Sequence, residues 1–441
     1  MRQTRAPTRT LLAVVLALAT GMAVAGTRFA TVARAADVVS LGATTIRSTF
    51  QVGIDVEEPV TLPASVQRIE ALVHTGSDTR VLADDVPIPA AGAGLTSLTY
   101  HLDAPPGQLL PNTLVQVQFR VTLADGTTEE GPVATVRYED TRFAWKTLTG
   151  TIVRVHWVQG DDAFGQRALQ IGEAAVADTS RLLGVTETSP IDFFIYPDMK
   201  SFYDVLGPAA RENVGGVAFP DIRTLLANIG PHAVNDAWVG IVIPHELTHL
   251  VFGTAVDNPY HAPPHWFNEG LAVYLSQGYD SGDRAQVESA VGDRSIMPLA
   301  ALDGQFPTTA DRFSLAYAES VSAIDYLIRT YGQAAMVTLI HSWGTGVSDD
   351  DAFQSALGVD VPGFQAGWLK AIGAPEPSPA GPKPAPPGPV PPGWPGGAAA
   401  VVRGAGTDLL VEGIVVVLIS FLGIGLLWFL ARRRRRGTLP Q

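Results

Sequence analysis

The sequence predicts a multidomain chain: an all-β sandwich, then an α+β domain, a proline-rich linker and one C-terminal transmembrane helix. Three observations predict it. Short runs rich in Val, Thr, Phe and Tyr, separated by turn residues, fill positions 37–140. Strand-like runs then give way to long helical patterns over 141–372, one of which holds His245-Glu246-Leu247-Thr248-His249. Beyond them eleven prolines crowd residues 375–395, and 413–431 is a nineteen-residue stretch without a charge.

The ends of the chain carry its basic residues. Five arginines (Arg2, Arg5, Arg9, Arg28, Arg34) and no acids lie in residues 1–36, and Arg432 to Arg436 add five more. Setting those ten aside leaves 20 basic against 43 acidic residues, so the body is acidic, which argues against nucleic acid as its partner. Residues 1–35 read as a secretory signal: arginines, the apolar run from Leu11 to Ala19, then small residues. Ala23-Val-Ala25 and Ala33-Arg-Ala35 both suit cleavage, and ordered-looking sequence starting at Asp37 favours the second. At about 1.5 Å per residue, 413–431 spans roughly 28 Å, enough for a bilayer core. The arginines after it predict a single-pass type I orientation in the cell membrane, with the body extracytoplasmic and 432–441 a cytoplasmic basic tail. There is no cysteine, which excludes both disulfides and a cysteine nucleophile.

Within 37–140, strands are expected over 46–52, 66–73, 95–101, 114–123 and 133–138. Val115-Gln-Val-Gln-Phe-Arg-Val121 alternates strictly, so one face is buried and the other wet. Asp125-Gly126 after it marks a hairpin turn, and the pattern suggests a sandwich of immunoglobulin or fibronectin type. His74 and His101 stand alone there and read as surface or partnered core residues.

Over 141–372, strands are expected at 152–158 and 191–196, with helices over 161–183 and 199–206. Residues 221–228 read as an exposed edge strand, and further helices are expected over 266–277, 284–291 and 312–331. The linker, 373–406, favours extended polyproline II and makes a stalk of about 3.1 Å per residue.

His245 and His249 are four apart, so on a helix both imidazoles reach one metal ion, with Glu246 beside them to take a proton from a water. The flanking Ile241, Val242, Ile243, Leu247, Leu250 and Val251 are those of a buried helix, which leaves the polar trio in need of a partner. Pro244 belongs in a first turn, placing the helix start near Gly240 or Ile241. The alternative is two partnered core histidines.

A third ligand is sought on a neighbouring helix, and His265-Trp-Phe-Asn-Glu-Gly-Leu-Ala-Val-Tyr274 supplies Glu269, twenty residues beyond His249. At this point the chain resembles the gluzincin (thermolysin-like) zinc metallopeptidases, and within them the peptidase MA-like family. In that family a W-x-x-E-G-x-A segment carries the third ligand, and Trp266, Glu269, Gly270 and Ala272 match it. The resemblance covers residues 140–372. It implies a zincin-like domain, Zn2+ held by His245, His249 and Glu269, Glu246 as general base, and a peptide or protein substrate.

Tyr317, in Leu315-Ala-Tyr-Ala-Glu319, is the candidate oxyanion stabiliser, since related families carry a tyrosine after the glutamate helix; its alternative is a packed helix residue. His232 and His341 are lesser candidates, and residues 214–219 are expected to offer an edge strand to the substrate backbone. The metzincin pattern is excluded, because it needs glycine where Phe252 stands and histidine where Ala255 stands. His265 is an alternative ligand to Glu269. One departure stands out: thermolysin-like enzymes hold a zinc-bound histidine with an aspartate about four residues after the third ligand, and here that position is Val273. Asp236 or Asp257 is the expected substitute. The competing function is a non-catalytic surface protein whose sandwich and degenerate peptidase-like domain bind a partner.

Overall fold

The computed structural model describes residues 38–76, 80–90, 93–208, 215–258 and 261–377. The expected signal segment 1–35, the expected transmembrane helix 413–431 and the expected tail 432–441 lie outside the described residues, as does the expected linker beyond residue 377.

The N-terminal part is two antiparallel sheets. In the first, β3 (Gly53–Leu62) pairs β6 (Gly94–Asp103) along its full length on one side. Its other edge is shared by β1 (Ser40–Leu41) and β2 (Thr45–Thr49). The second sheet runs β5 (Leu82–Asp85), β4 (Val66–Thr75), β7 (Leu114–Leu123), β8 (Thr128–Glu130), with β9 (Ala134–Arg137) also on β7. Residues of both sheets, among them Ile54, Val56, Ile69, Leu98, Val117 and Phe119, close one core. In β7 the expected alternation places Val115, Val117, Phe119 and Val121 inward. β3, absent from the expected strands, is as long as any in the sandwich. Glu57-Glu58-Pro59 hides it, since acids and proline disfavour strands. The fold accommodates Pro59 where the neighbouring edge is interrupted between β1 and β2, and Glu58 by a bond from Thr44 Oγ1 at 2.6 Å.

The second part is built on a five-stranded mixed sheet in the order β10 (Lys146–Thr149), β11 (Val153–Trp157), β12 (Ile191–Tyr196), β14 (Thr224–Asn228), β13 (Gly216–Phe219). β11, β12 and β14 are parallel, and β10 and β13 run antiparallel at the two edges. The sequence expectation of an exposed edge strand over 221–228 is therefore corrected. β14 lies between β12 and β13, and Thr224, Leu225, Leu226 and Ala227 are buried. Its near-continuous apolar run is what a strand covered on both faces requires.

Against this sheet packs α1 (Asp162–Leu183), whose start is capped by Asp161 accepting from the Phe164 N–H. Next to α1 runs α3 (Val239–Val256), and α4 (His265–Ser276) lies between α3 and α6 (Ala310–Tyr331). α2 (Met199–Leu206) packs on β12 and β14, and α5 (Ser281–Asp293) packs on α6. Three further helices, α7 (Gln333–Trp343), α8 (Asp349–Leu357) and α9 (Val361–Ile372), lie beyond the last one expected from sequence.

The two parts share packed surface. Leu110, from the loop between β6 and β7, enters a cluster with Tyr196, Phe202, Val217, Phe219, Leu226 and Val242. The contact is tight enough to require glycine on both sides. A Cβ on Gly107 would sit 2.8 Å from the Leu206 carbonyl oxygen, and one on Gly207 2.6 Å from that of Pro106. Both also have positive φ.

Among the described residues one helix, α3, is long and apolar enough to cross a membrane by length and composition, but most of it is buried inside the domain. Its apolarity is that of a core helix.

Candidate metal centre

α3 is apolar all round, and its buried stretch contains four polar side chains: His245, Glu246, Thr248 and His249. Thr248 is satisfied locally, its hydroxyl donating to the Pro244 carbonyl at 2.8 Å. The helix begins at Val239, so Pro244 sits past the first turn, a correction to the start expected from sequence. The fold tolerates this because the carbonyl deprived of its donor is that of Gly240, which is exposed and carries no side chain to crowd the ring.

The helical period brings the His245 and His249 rings to 4.9 Å between centroids, nearly perpendicular. α4 then presents Glu269, 1% exposed, to both of them. Glu269 Oε2 stands 3.4 Å from His245 Nε2 and 3.8 Å from His249 Nε2. One donor atom from each of His245, His249 and Glu269 lies within 4.8 Å of the others. Ligands at zinc distances of about 2.0–2.2 Å in a tetrahedron stand roughly 3.4 Å apart, so the spacing fits a metal with little adjustment. Gly270 makes this approach possible. A Cβ there would come within 2.5 Å of the Ser320 carbonyl oxygen on α6.

Electrostatics favour the same reading. Burial pushes the Glu246 carboxyl well above its ordinary range, and the Glu269 charge adds to this; the Ala218 N–H facing it offsets only part. Burial also holds the His249 imidazole down to about 4, against the pull of Glu269. Burial alone would raise Glu269, but His249, His245 and His265 around it hold its carboxyl well below the usual range. A neutral His249 beside an ionised Glu269 is the protonation state a metal ligand needs. His249 Nε2 and both Glu246 oxygens are buried and complete no hydrogen bond of good geometry. Leaving such groups buried costs on the order of 1–3 kcal/mol each, and a cation between them would remove much of that cost.

The residue that orients His249 is Asn268, whose Oδ1 lies 2.9 Å from His249 Nδ1. Sequence reasoning placed this role on Asp236 or Asp257. Both are exposed, and Asp257 is the left-handed residue that ends α3. The signal that was available is position: Asn268 immediately precedes the ligand on the same helix.

Tyr317 is 5% exposed on α6, its ring edge-on to Phe306 at 5.1 Å and Phe313 at 5.2 Å between centroids. His341 Nε2 lies 2.8 Å from the Leu183 carbonyl oxygen, at the end of α1, and His232 is exposed. In the sandwich His101 Nδ1 pairs with Asp55 at 2.7 Å.

β13 closes the sheet beside α3. Its neighbour Gly215 accepts from the Asn228 N–H at 3.0 Å. In an antiparallel ladder bonded pairs alternate, so the N–H and C=O groups of Gly216 and Ala218 turn away from β14, and the Ala218 N–H faces Glu246.

Comparison with known proteins bears on the same segment. Residues 172–374 match the family model described as Peptidase MA superfamily. Among curated proteins, Aminopeptidase M1-A of Oryza sativa subsp. japonica is 26% identical over 225 residues, 49% of this chain and 24% of its own. Aminopeptidase M1-C of the same plant is 27% identical over 157 residues, 33% of this chain and 18% of its own. This chain thus spans no more than about a quarter of the length of those relatives. Among solved structures, an aminopeptidase N family protein from Idiomarina loihiensis is 12% identical with a TM-score of 0.38, covering 76% of each chain. The family-model match encloses His245, Glu246, His249 and Glu269, and it supports a peptidase of the MA superfamily in this part of the chain.

Proposed function

We propose that the chain is a membrane-anchored, extracytoplasmic zinc metallopeptidase with a catalytic domain over 141–372 behind a β-sandwich over 37–140. The observation that carries the reading is the buried His245–His249–Glu269 trio with Glu246 beside it in an otherwise apolar helix. The signal-like N-terminus and the charge-free stretch before five arginines support the placement outside the cytoplasm. The connectivity of the sandwich supports an immunoglobulin-type domain: β2, β3 and β6 in one sheet, β5, β4, β7 and β9 in the other.

In this reading His245, His249 and Glu269 hold Zn2+. When bound, it supplies Lewis acidity toward a water and the scissile carbonyl. Glu246, 3.9 Å from His245 Nε2, takes the proton of the attacking water. The proton then passes to the leaving amine. The open N–H and C=O groups of Gly216 and Ala218 pair with the substrate backbone as an added strand. Tyr317 is the proposed second stabiliser of the oxyanion. Aminopeptidase activity belongs to the named relatives; for this chain the substrate class is a peptide or protein.

The test is Glu246→Gln in the full chain. Peptide cleavage is expected to fall by about three orders of magnitude or more, with bound zinc unchanged by metal analysis. Cleavage at the native rate in this variant sinks the mechanism, and native protein that binds no zinc sinks the metal assignment.

A further inference from the structure

One face of the five-stranded sheet is covered by α1, where Val153, Val155 and Trp157 of β11 enter the core. The alternate residues of β11 point the other way. On that side His156 stands opposite Thr147 of the edge strand β10 and beside Phe194 of β12. Its ring is stacked on Phe194, 4.3 Å between centroids and 16° from parallel, which limits how the imidazole can turn. Each ring nitrogen then meets a partner. Nδ1 lies 2.9 Å from Thr147 Oγ1, and Nε2 lies 2.9 Å from Asp192 Oδ1. The other oxygen of Asp192 accepts from Asn112 Nδ2 at 2.9 Å and Arg154 Nη2 at 2.6 Å, which fixes the carboxylate. Thr147 is exposed and the His156 side chain 15% exposed, so a molecule in solution can reach the hydroxyl.

We propose that Thr147, His156 and Asp192 form a second reactive site, separate from the metal centre, in which the Thr147 hydroxyl accepts an acyl group from an activated ester. Such a relay is defined by geometry and roles rather than by order in the chain. Its direction follows from charge. Burial alone would raise the Asp192 carboxyl, but His156 and Arg154 hold it down to about 2, so it is ionised and accepts the Nε2–H. A neutral imidazole with its proton on Nε2 has a lone pair on Nδ1, and the Thr147 hydroxyl donates to it. The base thus stands where it takes the proton as Oγ1 attacks. In that step the bond from Oγ1 to the acyl carbon forms, and the bond from this carbon to the leaving oxygen breaks. The hydroxyl proton passes to His156 Nδ1 and then to the leaving oxygen, so no further reactant is consumed. Asp192 touches neither reacting atom; it acts through His156, as a positioning residue.

The probe is p-nitrophenyl acetate, applied to the native full chain with and without EDTA, and acetylation is read residue by residue by peptide mapping. Thr149, exposed two positions along the same strand, is the internal reference. Thr147 is expected to be acetylated about 100-fold faster than Thr149, the size of effect a positioned base supplies, and EDTA is expected to leave that rate unchanged. His156→Gln should slow labelling of Thr147 about 100-fold. Asp192→Asn should lower the maximal labelling rate with little change in the ester concentration that gives half of it. Both variants are read below their melting transitions. Thr147 labelled no faster than Thr149 in the native chain overturns the proposal, whatever the variants do. Native-rate labelling of Thr147 in folded His156→Gln overturns it too, since the hydroxyl then reacts without its base. Labelling abolished by EDTA also overturns it, by assigning the reaction to the metal centre.

Discussion

Asn268 shows how a single side chain sets the behaviour of a ligand it does not replace. Its Oδ1 accepts from His249 Nδ1–H at 2.9 Å, which fixes the tautomer and turns Nε2 toward Glu269. Replacing it by leucine leaves the His249 N–H buried without an acceptor, and zinc affinity should fall about tenfold, measurable by chelator competition. Asn268→Asp should retain or raise the affinity, because a carboxylate accepts the same bond and increases imidazole basicity; equal loss in both variants would remove the bond from consideration. At this scale the sequence was informative about ligands and poor about their supports. The pattern from His245 to His249 with Glu269 is legible because helical periodicity converts spacing directly into shared direction. The holder was sought as an acid in the thermolysin position, where Val273 stands, yet a helix offers several geometrically adequate positions. Asn268, one before the ligand, is among them.

At the scale of elements, α4 against α6 decides whether Glu269 reaches the histidines at all. Gly270→Ala is a sharp probe because two effects of opposite sign compete there. Alanine in a helix interior gains about 1 kcal/mol over glycine in intrinsic propensity. The added Cβ would lie 2.5 Å from the Ser320 carbonyl oxygen, a backbone atom that cannot rotate away. Overpacking of this kind typically costs about 1–3 kcal/mol, so the clash should win. The variant is expected to melt at a lower temperature and bind zinc more weakly, whereas a stabilised protein would mean that α4 does not approach α6 as closely as the structure has it. This pairing was half visible beforehand. The Gly270 in Trp266-Phe-Asn-Glu-Gly270 was legible as part of a motif, but not the partner it makes room for. β3 was hidden by Glu57-Glu58-Pro59, because local propensity works against a strand that pairing to β6 over ten residues nonetheless enforces. Residues 221–228 read as an exposed edge strand in the sequence; only the order of pairing places β13 outside β14.

Over the whole molecule, the sandwich is docked on the second domain through a polar junction that no single motif announces. Asn112, from the loop before β7, donates to Asp192 Oδ2 at 2.9 Å and to Thr224 Oγ1 at 2.8 Å, linking it to β12 and β14. Arg137 on β9 donates to Asn112 Oδ1 at 2.8 Å, while Arg154 and His156 on β11 pair with Asp192 at 2.6 and 2.9 Å. Asp192 is 4% exposed. Burial alone would raise its carboxyl, but His156 and Arg154 hold it down to about 2. The sign of the pH dependence follows. A carboxylate whose folded pKa lies below its unfolded value stabilises the fold fully above about pH 4, and that contribution is lost as pH falls toward 2. Discounted for solvent around Arg154, it amounts to on the order of 1–2 kcal/mol. Asp192→Asn should therefore lower the urea midpoint at pH 7 and lose little more on acidification, while the native chain loses stability between pH 4 and 2. The native-minus-variant difference isolates Asp192 from the other carboxylates, which titrate in both. Because β14 pairs directly with β13, the same junction stands one strand away from the groups that face Glu246. Loosening it with Asn112→Ala should raise KM for a peptide more than it lowers kcat, and equal KM values would show that the sandwich stabilises the domain without aligning its edge strand.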